Sequence, residues 1–209
     1  MRRSFVHLLA AAAAAFAATN AWAQAPVKIG IVTFLSGPAA GPFGVPARNA
    51  AEVMAESLNA GRVPGAHSAK GFGGAPVELV LIDEAGGPQK QVQELRNLAQ
   101  RVDLVIGYIS SGDCLAVAPV AEELKRLTVL FDCGTPRIFE DASYRYVFRT
   151  GATATGDAVA LARYVLDRRP GVKSFAGINQ NYAWGQDSWN DFEAAMKALK
   201  PDVEVKTSQ

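Results

Sequence analysis

The chain has 209 residues, 49% of them hydrophobic and 20% charged, a composition that excludes a disordered or fibrous protein and allows a real core. With 21 lysines and arginines against 20 acidic residues and no basic stripe interleaved with aromatics, it gives a nucleic-acid backbone no electrostatic reason to bind. Its two cysteines and two histidines show no metal-binding spacing, so no metal or other cofactor is expected.

Arg2 and Arg3 precede an apolar run from Leu8 to Ala18, and Ala21-Trp22-Ala23 supplies the small-x-small pattern of a cleavage site, so residues 1–23 read as a secretion signal. Thr19-Asn20 interrupts the run before the about 20 apolar residues of a membrane anchor. Gln24, not cysteine, would follow the cut, so neither a lipid anchor nor membrane insertion is expected after processing. Arg2-Arg3-Ser4-Phe5 loosely matches a twin-arginine signal, and the export route stays open. Cleavage leaves 19 basic against 20 acidic residues, a net charge of −1.

Short β-branched runs then alternate with helical patterns. Residues 27–34, 77–82, 103–107 and 128–131 read as strands, apolar along their length as in a parallel sheet covered on both faces. Ala47, Ala50, Ala51, Met54 and Leu58 follow the spacing of one buried helical stripe, and Val92, Leu95 and Ala99 repeat it after Pro88 opens a second helix. A third helical stretch, 115–127, contains Pro119, which is expected to begin a fresh turn rather than sit inside a helix. Such β-α alternation predicts a doubly wound α/β domain. Residues 132–144 read as loop and 146–149 as a short extended piece. A helix over 153–168, a strand over 174–178, a helix over 187–199 and a strand over 203–206 then begin a second α/β unit. Its few elements cannot cover both faces of a sheet, so the chain is expected to end before its fold does.

Ligands of an open parallel sheet bind beyond the carboxyl ends of its strands. The run YISSGDC, residues 108–114, lies at such an end, and Ser110 and Ser111 there can offer hydroxyls beside free N–H groups of a helix start, a setting that suits a carboxylate. On the motif alone, N-capping is the simpler role. Two other strand ends tip the balance: Leu35-Ser36-Gly37-Pro38 with Gly41-Pro42-Phe43-Gly44, and Asp132-Cys133-Gly134-Thr135-Pro136. Three ends of one sheet edge thus carry small polar groups and a ring, which points to a binding site.

The stretches IGIVTFLSGPAAGPFGVPARNAAEVMAESLNA, VELVLIDEAGGP, IGYISSGDCLAVAPVAEEL, YVFRTGAT and NYAWGQDSWNDFEAAMKAL together resemble the leucine/isoleucine/valine-binding protein family, the type I periplasmic receptors of ABC importers. The resemblance implies two α/β lobes joined by a hinge, with residues 24–148 as the first lobe and 149–209 as the hinge crossing and the opening of a truncated second. It also implies a periplasmic protein that captures a branched-chain amino acid or similar small carboxylate and delivers it to a membrane permease. By the same resemblance the Ser111 hydroxyl holds the ligand carboxylate, Cys133, Gly134 and Thr135 form the next contacting loop, Phe43 is an aromatic wall and Trp184 a lid from the second lobe. FDCGTPRIF departs from the usual small-residue run at that loop, leaving aromatic or other organic acids open as solutes. A ligand-sensing receptor of the same fold is the alternative role.

Export permits a disulfide, and Cys114 and Cys133 fall just past the ends of the third and fourth strands, close enough to bridge if those strands are neighbours. Two buried free thiols are the alternative. A Ser/Cys hydrolase is disfavoured: the one histidine left after cleavage, His67, stands in a glycine-rich connection, and Gly107 and Gly112 flank the serines at the wrong spacing for a nucleophile elbow. Asp83-Glu84 ends a strand, where it could bind a cation or, more simply, cap the helix that Pro88 begins.

Overall fold

The computed structural model describes residues 24–65 and 69–208. The signal segment and His67 lie outside the described residues. Among the described residues seven strands, β1 (Val27–Thr33), β2 (Val77–Asp83), β3 (Leu104–Gly107), β4 (Thr128–Leu130), β5 (Val147–Arg149), β6 (Ser174–Gly177) and β7 (Glu204–Ser208), alternate with six α-helices, and a π-helical turn at Ala40–Gly44 leads into the first of them. The helices are α1 (Val45–Ala60), α2 (Pro88–Leu98), α3 (Ser111–Glu123), the single turn α4 (Arg137–Glu140), α5 (Ala154–Arg168) and α6 (Ala183–Leu199).

The first five strands form one parallel sheet in the order β2-β1-β3-β4-β5, and β6 and β7 form a separate parallel pair. This is the doubly wound α/β architecture that the alternation predicts. Both faces of the first sheet are covered: Ile29, Ile31 and Val77 pack under α1 through Ala55, while Val32, Val105 and Leu130 meet Leu95, Leu98 and Val117 of α2 and α3. Gly30 lets α2 approach closely, because a Cβ there would stand 2.7 Å from Leu98 Cδ2. Ala162 and Met196 pair α5 with α6 beside Val203, giving the second unit a small core of its own.

Five local expectations change. The α1 stripe is rotated: Ala55 is its buried residue and Met54 is 54% exposed, because alanines at 47, 51 and 55 let the helix sit nearer the sheet than a methionine would. Pro119 lies inside α3. It faces solvent, where the carbonyl that loses its partner can be hydrated, while Cys114, Val117, Ala118 and Val120 stay buried on the other side. Residues 137–140, read as loop, form α4, and α6 starts four residues before the expected Asp187. Asp83 and Glu84 do not cap α2, whose N-cap is Gly87 with no side-chain bond. Asp83 instead accepts from Leu35 N–H and the Ser36 hydroxyl, tying down the loop after β1.

Candidate functional site

The strand order reverses between β1 and β3, so the loops after these two strands splay apart at their carboxyl ends and leave a crevice. Tyr108, directly after β3, is wholly buried at φ 70°, and its N–H donates to Val32 O at 2.9 Å. The turned chain aims the next two N–H groups inward, at the buried carboxylate of Glu84. Ile109 N–H donates to it at 2.9 Å and Ser110 N–H at 2.7 Å. Burial pushes the Glu84 carboxyl up to about 7, against the pull of those two donors and helped by the negative charges of Asp113 and Asp132. Asp113, buried in the first turn of α3, is likewise raised by burial to about 6.

Ser110 is the N-cap of α3, its hydroxyl accepting from Asp113 N–H at 3.3 Å, and it also borders a recess beside the main cleft with Phe43, Gln180 and Tyr182. Ser111 is buried, and its hydroxyl oxygen accepts from Thr135 N–H at 3.2 Å. The Thr135 hydroxyl donates across to Asp187 of α6 at 2.5 Å, and Asp187 pairs with Arg137 at 3.3 Å. A carboxylate from the second unit therefore already rests on Thr135, whose N–H is held by the Ser111 hydroxyl. Behind the same loop Arg149 donates through Nη1 to the carbonyls of Cys133 at 3.2 Å and Thr135 at 2.5 Å. Cys133 is bridged to Cys114 with Cα atoms 6.3 Å apart, because β3 and β4 are neighbours. The bridge staples the loop after β4 to the first turn of α3.

In front of this buried layer lies a cleft of about 380 Å³, walled by Phe43, Ile109, Asp132 and Gly134 of the first unit and by Ala154, Asp157, Gln180, Tyr182 and Trp184 of the second. Gly134 permits a close approach between them, since a Cβ there would stand 2.5 Å from Trp184 Cδ1. Phe43, Tyr182 and Trp184 are 52%, 38% and 37% exposed, which leaves three rings at one opening with little protein covering them. Of the residues singled out in the sequence, Phe43, Gly134 and Trp184 line the cleft, Ser110 lines the recess beside it, and Ser111, Thr135 and Cys133 form the layer underneath. Asp157, Gln180 and Tyr182 were missed. Tyr182 had a readable signal two places before Trp184 at a helix start, whereas an aspartate in a first helical turn usually needs no further explanation.

A family model described as periplasmic binding protein matches residues 26–208. Among proteins of curated function none matches the sequence. Among solved structures, the solute-binding protein of an ABC transporter from Rhodopseudomonas palustris BisB5, in complex with 3,4-dihydroxybenzoic acid, is 22% identical with a TM-score of 0.67, covering 88% of this chain and 46% of that one. A fatty acid ABC transporter substrate-binding protein from Thermomonospora curvata is 22% identical with a TM-score of 0.73, covering 88% and 44%. A leucine-binding protein from Thermotoga maritima is 21% identical with a TM-score of 0.71, covering 87% and 48%. The chain thus spans somewhat less than half the length of these structures, and at such identities the likeness establishes the fold.

Proposed function

The chain belongs to the periplasmic binding protein family, and from that premise we propose that it is the solute receptor of an ABC importer, capturing a small organic solute of the amino-acid or organic-acid class and presenting it to a membrane permease. Capture, not catalysis, is the mechanism. The observation that carries this reading is the cleft itself, whose two walls come from the strand ends of the first sheet and from the start of α6. Residues 24–148 act as one lobe, and 149–209 as the crossing and the opening of a second. The lobes turn about the segment after Arg149, and closure on the solute is the signal the permease reads. Of the three similar structures named above, one holds 3,4-dihydroxybenzoic acid and the other two are a fatty acid transporter's binding protein and a leucine-binding protein, all solutes with a carboxylate, which supports a solute of this kind.

Within this reading the solute's acid group takes over the acceptor position that Asp187 occupies on the Thr135 hydroxyl and there also meets the hydroxyl of Ser111, which holds the Thr135 N–H. Phe43, Tyr182 and Trp184 enclose its apolar part, and backbone groups of Cys133 and Gly134 line the approach. Residues 1–23 export the protein to the periplasm. Among the described residues no helix is long and apolar enough to cross a membrane.

A thermal-shift screen of amino acids and aromatic and aliphatic carboxylic acids identifies the solute, and calorimetry on Ser111→Ala then tests the dock. Loss of a charge-assisted hydrogen bond in a desolvated site is expected to weaken binding by about 1 to 3 kcal/mol. Wild-type affinity in that variant contradicts the role given to Ser111.

A further inference from the structure

Asp187, the fifth residue of α6, reaches out of the second unit and ends on the loop after β4. Its side chain is 12% exposed, so the contact is largely shielded from water. Oδ2 accepts from the Thr135 hydroxyl at 2.5 Å and from Arg137 Nε at 3.3 Å, and Oδ1 lies 3.3 Å from the same nitrogen.

The receiving loop is held from several directions. The Ser111 hydroxyl accepts from Thr135 N–H at 3.2 Å, and the Thr135 hydroxyl accepts from Arg137 N–H at 3.4 Å. Arg149 donates to the carbonyls of Cys133 and Thr135, and the Cys114–Cys133 bridge fixes the loop to α3. The helix that carries Asp187 is anchored elsewhere. Its Asp191 accepts from the Thr155 hydroxyl of α5 at 2.6 Å, and Met196 packs with Ala162 of the same helix. Asp187 is therefore carried by one unit and bound by the other. A backbone bond crosses the same crevice, from Ala154 N–H at the start of α5 to Gly134 O at 2.8 Å.

A buried hydroxyl beside a guanidinium is a donor set for a carboxylate, through charge-assisted hydrogen bonds. Here the protein's own carboxylate fills it. A solute acid that docks on the Thr135 hydroxyl must first displace Asp187, so it gains the difference between two similar contacts rather than the full strength of one. The displaced side chain stays tethered beside the site, where its high effective concentration favours its return.

We propose that Asp187 is an internal competitor of the solute: seated on Thr135 and Arg137, it latches the two units together and weakens the binding of any acid that docks there. This rests on the receptor reading and adds what sets the receptor's affinity. Apparent affinity is reduced by the fraction of molecules in which the latch is open. A solute acid opens it by exchange, one carboxylate replacing another at the same donors.

The test compares the wild-type protein with Asp187→Ala, which removes the latch, and Asp187→Asn, which keeps its shape and removes its charge. Leucine, 4-hydroxybenzoate and octanoate are the probes in calorimetry, and hydrogen exchange of the Ala154 amide is followed with no compound added. At least one probe is expected to bind at least about tenfold more tightly to Asp187→Ala, and about threefold or more tightly to Asp187→Asn. The Ala154 amide is expected to exchange faster in both, because a link across the crevice is gone. The asparagine variant decides the matter should the alanine variant fail to fold. Wild-type or weaker affinity in the variants, or unchanged exchange at Ala154, overturns the latch and leaves the receptor reading standing. Failure of all three probes to bind wild type and variants alike contradicts the receptor reading, and the inference with it.

Discussion

The protein is expected to lose about 3 kcal/mol of stability between about pH 4 and pH 8 on account of one side chain, Glu84, and Glu84→Gln is expected to remove that loss. The carboxyl has an ordinary value of 4.5 and stands at about 7 in the folded protein, chiefly because it is buried. A carboxyl raised on folding works against the native state as the pH rises. Below its ordinary value both states hold the proton and nothing is lost. Between 4.5 and about 7 the unfolded chain gives up the proton while the folded protein keeps it, so stability falls across that window and is flat above it. Asp113, raised to about 6, adds a slope of the same sign from its own ordinary value of 3.8 upward, so the variant flattens the profile without abolishing it. Glutamine keeps an oxygen that can accept from Ile109 and Ser110 N–H. Urea unfolding of both proteins at the two ends of the window measures the effect as a difference of differences. An identical pH slope in the two proteins would show that Glu84 ionises freely, and that the turn after β3 is not built over a buried acid.

The second large effect belongs to the disulfide. Joint replacement of Cys114 and Cys133 by alanine is expected to lower the unfolding free energy by about 3 kcal/mol, the chain-entropy value for a loop of this length, since the bridge closes a sequence separation of 19 residues. Both cysteines are wholly buried in the main core, and alanine keeps the site apolar. The same variant is expected to bind solute more weakly, because the loop of Gly134 and Thr135 is no longer tied to the start of α3 and must be ordered at binding. Denaturant midpoints of the two proteins under oxidising conditions decide the stability claim. Coincident midpoints would mean that the core alone holds this loop.

The strands and helices that pack a sheet on both faces were legible because their periodicity is a direct image of burial. Pro88 opening α2 and the neighbouring cysteines follow from equally local chemistry. What sequence periodicity could not resolve is which of two near-equivalent stripes faces inward. Ala50 and Met54 fit the helical spacing as well as Ala51 and Ala55, and only the distance from α1 to the sheet decides between them. Pro119 shows the same limit, since its place inside α3 depends on which side of the helix meets water. Glu84 and Asp187 were illegible for a different reason. Each takes its role from partners far along the chain, 25 residues away at Ile109 and 52 away at Thr135. No local pattern marks a carboxylate that will be buried under a turn or laid across two lobes. The cleft itself was half legible: Phe43, Gly134 and Trp184 stand in recognisable loops, whereas Asp157 and Gln180 become wall residues only through the way α5 and α6 meet the first sheet.

On the proposed reading a solute binds between the strand ends of the first sheet and the start of α6, and the Trp184 ring lines the cleft while packing against Gly134. Calorimetric titration of Trp184→Ala with whichever compound most raises the wild-type unfolding midpoint tests it most directly. The ring is 37% exposed and packs on Gly134 rather than in either core, so the variant is expected to stay folded while its affinity falls at least about tenfold. A folded Trp184→Ala protein that binds the same compound as tightly as wild type would place the solute elsewhere and contradict the account.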